Sequence, residues 1–287
     1  MQTLSTALRN AVDAGNPQRV LLVFGSQSVE FTNEDIVITS GVELSEEFNS
    51  EHDLTIGLTP SSTLTFTLLN DSGQLADFEF GWFSAYIGAR IDSGTPTEIT
   101  RQYTENGQTV TYAFSPLGTF YAERPDIVVK ETVSVTAYDM MILFDKDMPS
   151  SETLGITYPT TVGSIFQALC NHFSVTPTAT DFLNNDLVVT KEPDDFSMVT
   201  MRQVLGWIAE VACSIARFGR DSKLEIAWFN TTSKTYDERR YNEFTPSWYE
   251  TASIDGLYYR NTNESEETQE GTVKSNNYLI QDNPFLN

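Results

Sequence analysis

Two histidines, two cysteines and a scatter of adjacent carboxylates are the side chains through which this chain could do chemistry. A zinc site or a Ser-His-Asp arrangement would have to use His52 or His172. His172 follows Cys170 by two residues, but Cys-x-His with no further ligand nearby is a weak metal signal. A histidine at the end of a helix, near the negative end of its dipole, is the simpler reading. The pairs Glu46-Glu47, Asp194-Asp195 and Glu266-Glu267 suggest the two carboxylates of glycoside hydrolysis. Adjacent carboxylates usually point apart, however, and in a chain with 40 Asp and Glu they read as solvated faces. The stretch Asp181-Phe182-Leu183-Asn184-Asn185-Asp186 has oxygen ligands at loose spacing and lacks the Gly and terminal Glu of a calcium loop, so it reads as a turn. No phosphate-cradling glycine loop or nucleophile elbow occurs. No catalytic, cofactor-binding or metal-binding residue is assigned.

Aromatic residues are the other candidates. Phe78, Phe80, Trp82, Phe83 and Tyr86 fall in one stretch, an arrangement that serves a core or a subunit interface more often than a sugar platform. For a carbohydrate-binding reading, Trp82, Tyr86 and Trp248 are the residues that would stack on a ligand.

The elements that position these residues are of two kinds. Residues 200–229 spell a capped helix, a turn and a strand. Thr200 and Gln203 have the spacing of a capping box, and Val204, Leu205, Ile208, Ala212 and Ile215 recur on one face. Residues 219–223 turn the chain, and Leu224, Ile226 and Trp228 then alternate as a strand does. A second helix begins at the cap Thr161, with Val162, Ile165, Leu169 and Phe173 on one side. With a short strand at 187–190, this order predicts a small α/β layer whose two helices cover one sheet.

Earlier in the chain the pattern is β. After a short N-terminal helix broken at Gly15, Asn16 and Pro17, strands are expected at 19–24, 35–39, 54–58, 63–69, 78–91, 98–103, 108–114, 119–123 and 127–137. Residues 63–69 are the plainest case, because Leu64, Phe66 and Leu68 alternate with threonines. Asn106-Gly107 between two strand candidates predicts a hairpin. Many short strands joined by Gly and Asn turns indicate a barrel or a sandwich. Strands are expected again at 257–260 and 272–281, around the polar run 261–271. The resulting division is an N-terminal helix over 1–17, a barrel-like domain over 18–137, a small α/β domain over 138–230 and a β-rich segment of a second barrel-like domain over 231–287. The fold class is α+β, mainly β.

At 287 residues the chain has room for more than one core. Its 17 Lys and Arg against 40 Asp and Glu give a formal charge of −23, which argues against a general nucleic-acid surface. Basic residues form only local spots, such as Arg217 with Arg220 and Arg239 with Arg240. The longest apolar runs fall well short of the roughly 20 residues that span a bilayer, and the N-terminus has no signal-peptide core. Cys170 and Cys213 fall on expected helices and read as free thiols.

Several of these residues together resemble a known family. Val133-Ser134-Val135-Thr136-Ala137-Tyr138-Asp139, followed by Leu143-Phe144-Asp145-Lys146, looks like the tail hub, or tail-associated protein, of siphophages and related prophages. So do Tyr158-Pro159-Thr160-Thr161-Val162-Gly163-Ser164-Ile165, the 200–229 segment and the closing Asn283-Pro284, with a fainter likeness over 54–88. Such hubs are similar to the trimeric baseplate hub of contractile-tailed phages. The resemblance implies two tail-tube-like β-barrel domains with the small α/β domain between them, in a homotrimer that presents a pseudo-sixfold ring to a hexameric tube. It also implies neighbours in the tail tube, the distal tail protein and the tape-measure protein, a channel through which DNA passes without specific binding, assembly in the bacterial cytoplasm and residence in the virion tail. An enzyme function is not carried over. A carbohydrate-binding adhesin module and a cell-wall polymer hydrolase are the alternatives.

Overall fold

Alternation of apolar and polar residues on pleated strands builds the larger part of the molecule. The computed structural model describes residues 4–25, 28–37, 39–46, 56–71, 73–125, 131–193, 196–227, 256–260, 277–281 and 283–286. A helix, α1 (Thr6–Asp13), capped by Ser5, precedes β1 (Gln18–Phe24), β2 (Val29–Thr32), β3 (Val42–Ser45), β4 (Thr63–Leu69), β5 (Trp82–Ile91), β6 (Ile99–Glu105), β7 (Gln108–Ala122) and β8 (Thr132–Asp139). These eight strands form one sheet in the order β2-β1-β5-β7-β8-β4-β3, with β6 beside the other half of the β7 edge that β8 uses. On β4, Leu64, Phe66 and Leu68 are buried and the threonines between them are not, as the sequence predicts. Phe24 stacks on Phe83 at 4.6 Å, and Phe31, Phe66, Phe78 and Phe120 fill the same core.

The sheet is not closed into a barrel. Its edge strands β2 and β3 do not pair with each other; the chain between them meets β4 at the bridge from Ile36 to Leu68. Instead of a strand over 35–39, the structure shows that single bridge. The strands expected at 108–114 and 119–123 are one strand, because a bulge at Leu117 carries β7 past Pro116 and Gly118 without ending it. Asn106 and Gly107 both have positive φ, 51° and 76°, which is the turn that suits the right-handed twist of the β6–β7 hairpin.

The remainder is built on helices. A 3-10 helix (Met140–Asp145) leads to β9 (Thr160–Thr161), α2 (Val162–His172), β10 (Val188–Val189), a short 3-10 turn (Phe196–Met198), α3 (Met201–Val211), β11 (Ile215–Phe218) and β12 (Leu224–Ala227). Phe144, Phe166, Leu169, Val204, Leu205 and Ile208 are fully buried together in a second core. The expectation of one sheet under both helices is not met: β9 pairs with β10, β11 pairs with β12, and the two ladders are separate. Ile215 does not continue α3. The helix ends at Val211, Cys213 turns the chain at φ 52°, and Ile215 opens a strand. Cys213 therefore lies beyond the helix, while Cys170 is on α2, and both are free thiols. Of residues 231–287, the described backbone comprises β13 (Gly256–Arg260) and β14 (Asn277–Gln281), paired in parallel, and a 3-10 turn (Pro284–Leu286). Trp228 and Trp248 lie outside the described residues.

The capping box is present: Gln203 N donates to Thr200 Oγ1 at 3.2 Å, and Thr200 N donates to Gln203 Oε1 at 2.8 Å. Thr200→Ala is expected to lower stability by about 1 kcal/mol in chemical denaturation. Ile208→Asp, which puts a carboxylate where the side chain is 0% exposed, is expected to leave no cooperative unfolding transition. A soluble Ile208→Asp protein with wild-type circular dichroism and melting would show that this face of α3 is not structural.

Candidate functional site

A buried polar site lies where the sheet meets the helical unit, and it is centred on Asp139. This residue ends β8 and caps the following 3-10 helix, so one carboxylate faces two elements at once. Its Oδ1 accepts from Ser61 Oγ at 2.8 Å and from Met141 N at 3.0 Å. Its Oδ2 accepts from Ser62 N at 2.8 Å, while Asp139 N donates to Ser62 O at 3.0 Å. The residue is 5% exposed. Burial pushes its carboxyl above the usual aspartate range, against the pull of these donors.

Two further clasps join the same units. Gly57 N donates to Ser214 O and Ala216 N to Leu58 O, so the segment ahead of β4 is pinned to the start of β11. Gly57 has φ +78°, and a Cβ there would fall 2.3 Å from Glu210 Cγ, so the close approach requires glycine. On the other side, Ser222 Oγ donates to Thr119 Oγ1 at 2.7 Å, and Arg220 pairs with Glu46 at 2.8 Å. The turn between β11 and β12 is thereby tied to β7.

The far end of the described chain is fixed to α3. Asn283, 1% exposed, donates through Nδ2 to Trp207 O at 3.0 Å and to Glu210 Oε2 at 2.8 Å, while its Oδ1 accepts from Phe285 N. Phe285 packs edge-on against Trp207, 5.8 Å between centroids. Burial raises the Glu210 carboxyl above its ordinary value, and the Asn283 bond opposes the shift.

These groups bind backbone and side chain to one another, which is positional work. Each Asp139 oxygen is already accepting, and the Cys170 thiol is pushed up to about 12 by burial, far from a thiolate at neutral pH. His172 is the last residue of α2 and meets Phe173 edge-on at 4.8 Å. Among the described residues no three His, Cys, Asp or Glu side chains gather to hold a metal. Residues 183–186 form a turn, as the sequence suggests. His52, Glu47, Asp194, Asp195, Glu266, Glu267 and Trp248 lie outside the described residues. Trp82 is 37% exposed and sits directly across from Tyr121, with ring planes at 62°. Tyr86, on the same strand, packs with Leu21, Tyr112 and Phe114. Of the three proposed stacking residues, the structure thus places two on β5. They differ in environment, and Trp82 meets its neighbour edge to face. No helix of the described residues is long and apolar enough to cross a membrane.

Local sequence reading misses the Asp139 clamp because its partners, Ser61 and Ser62, are 78 and 77 residues away. No pattern signals that pairing.

In comparison with known proteins, no family model and no curated protein matches the chain. Among solved structures it is similar to the 43 kDa tail protein of prophage MuSo2 from Shewanella oneidensis, with TM-score 0.43 and 13% identity over 72% of this chain and 53% of that one. It is also similar to the tail protein from Neisseria meningitidis MC58, with TM-score 0.43 and 12% identity over 86% of this chain and 56% of that one. The chain spans a little over half the length of these two proteins.

Glu210 generates a pH prediction. Its folded-state pKa lies above the unfolded one, so the folded form binds the proton more tightly and stability falls as pH rises through the folded value. Glu210→Gln keeps an acceptor for Asn283 and removes the charge. The melting temperatures of the two proteins are expected to be closest near pH 4 and to separate in favour of Glu210→Gln by pH 7. A constant difference across that range would dismiss the buried charge.

Proposed function

We propose that this chain is a structural phage or prophage tail protein, a hub subunit that joins the tail tube to the distal tail tip around a central channel, and that it works by assembly. What carries the reading is the place of the residues that resemble tail hubs. Val133, Val135 and Ala137 lie in the core of the sheet, Asp139 holds the junction, and Phe144 lies in the second core. Thr200 caps α3 and Asn283 fastens the last segment to it. These residues fix one packing unit to another, and a rigid bracket is what an adaptor between two assemblies needs.

In this reading three copies form a closed ring through heterologous contacts, each copy offering two different surfaces. The β-rich regions 18–137 and 231–287 act as two tail-tube-like units per subunit, related by about 60°, one sixth of a turn. The tail tube, the distal tail protein and the tape-measure protein are the neighbours, and the virion tail is the location. The charge of −23 suits a channel, since a negatively charged lumen offers DNA no sites at which to stick. No enzymatic activity is proposed.

The test is mass in solution together with electron microscopy. Three chains of 32.2 kDa give about 97 kDa, in particles with threefold symmetry and a central hole. A single-chain mass at the highest attainable concentration, with no ring in micrographs, would overturn the proposal.

A further inference from the structure

Along one face of β5 run Phe83, Ala85, Ile87 and Ala89, and all are buried except Ile87, which is 40% exposed. Ile87 faces a groove of about 460 Å³ between α1 and the turn that joins β11 to β12, a volume in the range of ligand sites. Leu8 and Val12 line the α1 side, and Val12 is 42% exposed. Leu117, the extra residue of the β7 bulge, reaches the same space. So does Ser115, which is 6% exposed and whose buried Oγ has no hydrogen-bond partner, an uncommon state for a buried hydroxyl. Arg220 stands at the rim. It gives one N–H to Glu46 and, among the described residues, leaves most of its five donors unused. Among the described residues no carboxylate lines the groove, although the chain has 40. The guest that suits this groove carries aliphatic side chains and a carboxylate.

The chain itself displays that combination elsewhere. In the turn ahead of β10 Leu183 is 60% exposed, Val188 at the start of β10 is 54% exposed, and the exposed Asp186 stands between them. The turn is held rather than loose: Asn184 has φ 61° and donates to Val211 O at 2.8 Å, and Asn185 donates to Thr180 O at 3.1 Å. Two aliphatic side chains and a carboxylate are thus presented within six residues on a firm support.

We propose that residues 183–188 of one copy seat in the α1 groove of the next, with Asp186 at Arg220 and with Leu183 and Val188 against Ile87 and Val12. Knob and groove are different surfaces of one chain, so the contact is head-to-tail and closes into a ring when the rotation permits. The inference rests on the assembly reading above and names the contact that makes it.

The test combines Val12→Cys with Leu183→Cys in the full chain under mild oxidation, with the wild-type protein as control for Cys170 and Cys213. The expected result is a covalent ladder that stops at three chains. Ile87→Asp, at a position already partly exposed, is expected to keep wild-type circular dichroism and melting and to raise the concentration for half-assembly about tenfold or more. A protein that is oligomeric, whose double-cysteine variant gives no ladder and whose assembly is indifferent to Ile87→Asp, would overturn this contact and leave the ring standing. A wild-type chain that is monomeric at every concentration would overturn both.

Discussion

The structure depends on one buried carboxylate at a junction. Asp139 is where the sheet stops and the helical unit starts, and without it the buried Met141 N–H and the two partly buried serine donors would lose their acceptor. An unmade hydrogen bond to a buried group costs about 1–3 kcal/mol, comparable to a fair part of a domain's net stability. The charge is itself disfavoured by burial, so the geometry of the donors has to be good for the arrangement to persist. The clamp thereby selects one relative placement of the two cores, where apolar contact alone would tolerate several.

The helical unit uses the same economy of fixed points. Its two small ladders are too short to be stable alone, and its order comes from the apolar side chains between α2, α3 and the 3-10 helix after Asp139. Arg202 pairs with Asp145, and Met201 N donates to Lys146 O, so the start of α3 is registered against the segment that leaves the sheet. Asn283 and Phe285 then register the other end of that helix. One helix is held at both ends by segments about sixty and eighty residues away in the chain.

What could be read from the sequence was what local chemistry decides. Thr200 with Gln203, Asn106 with Gly107 and the alternation of 63–69 each involve residues a few positions apart, and each is found as expected. Reading failed where a local rule met a tertiary one. Ile215 fits the period of α3, but the chain has already turned at Cys213. Pro116 and Gly118 look like a break in a strand, but the bulge absorbs them. Val29–Thr32 and Val42–Ser45 are four residues each, too short for a periodic signal, and they exist as strands because longer neighbours offer them an edge. The junction was illegible for the same reason: Asp139 and the two serines have no sequence relation, only a spatial one.

The length of β7 has a mechanical meaning. Fifteen residues run without interruption from the β6 hairpin to the neighbourhood of the junction, bonded to β5 along one edge and to β6 and then β8 along the other. A pull along such a strand strains many hydrogen bonds together, in shear, whereas a pull across an edge opens them one after another. Tension applied near the hairpin would thus travel through β7 to Thr119 and the turn it holds at Ser222, and enter the helical unit there. That strand is a stiff rod between the hairpin and the helical unit.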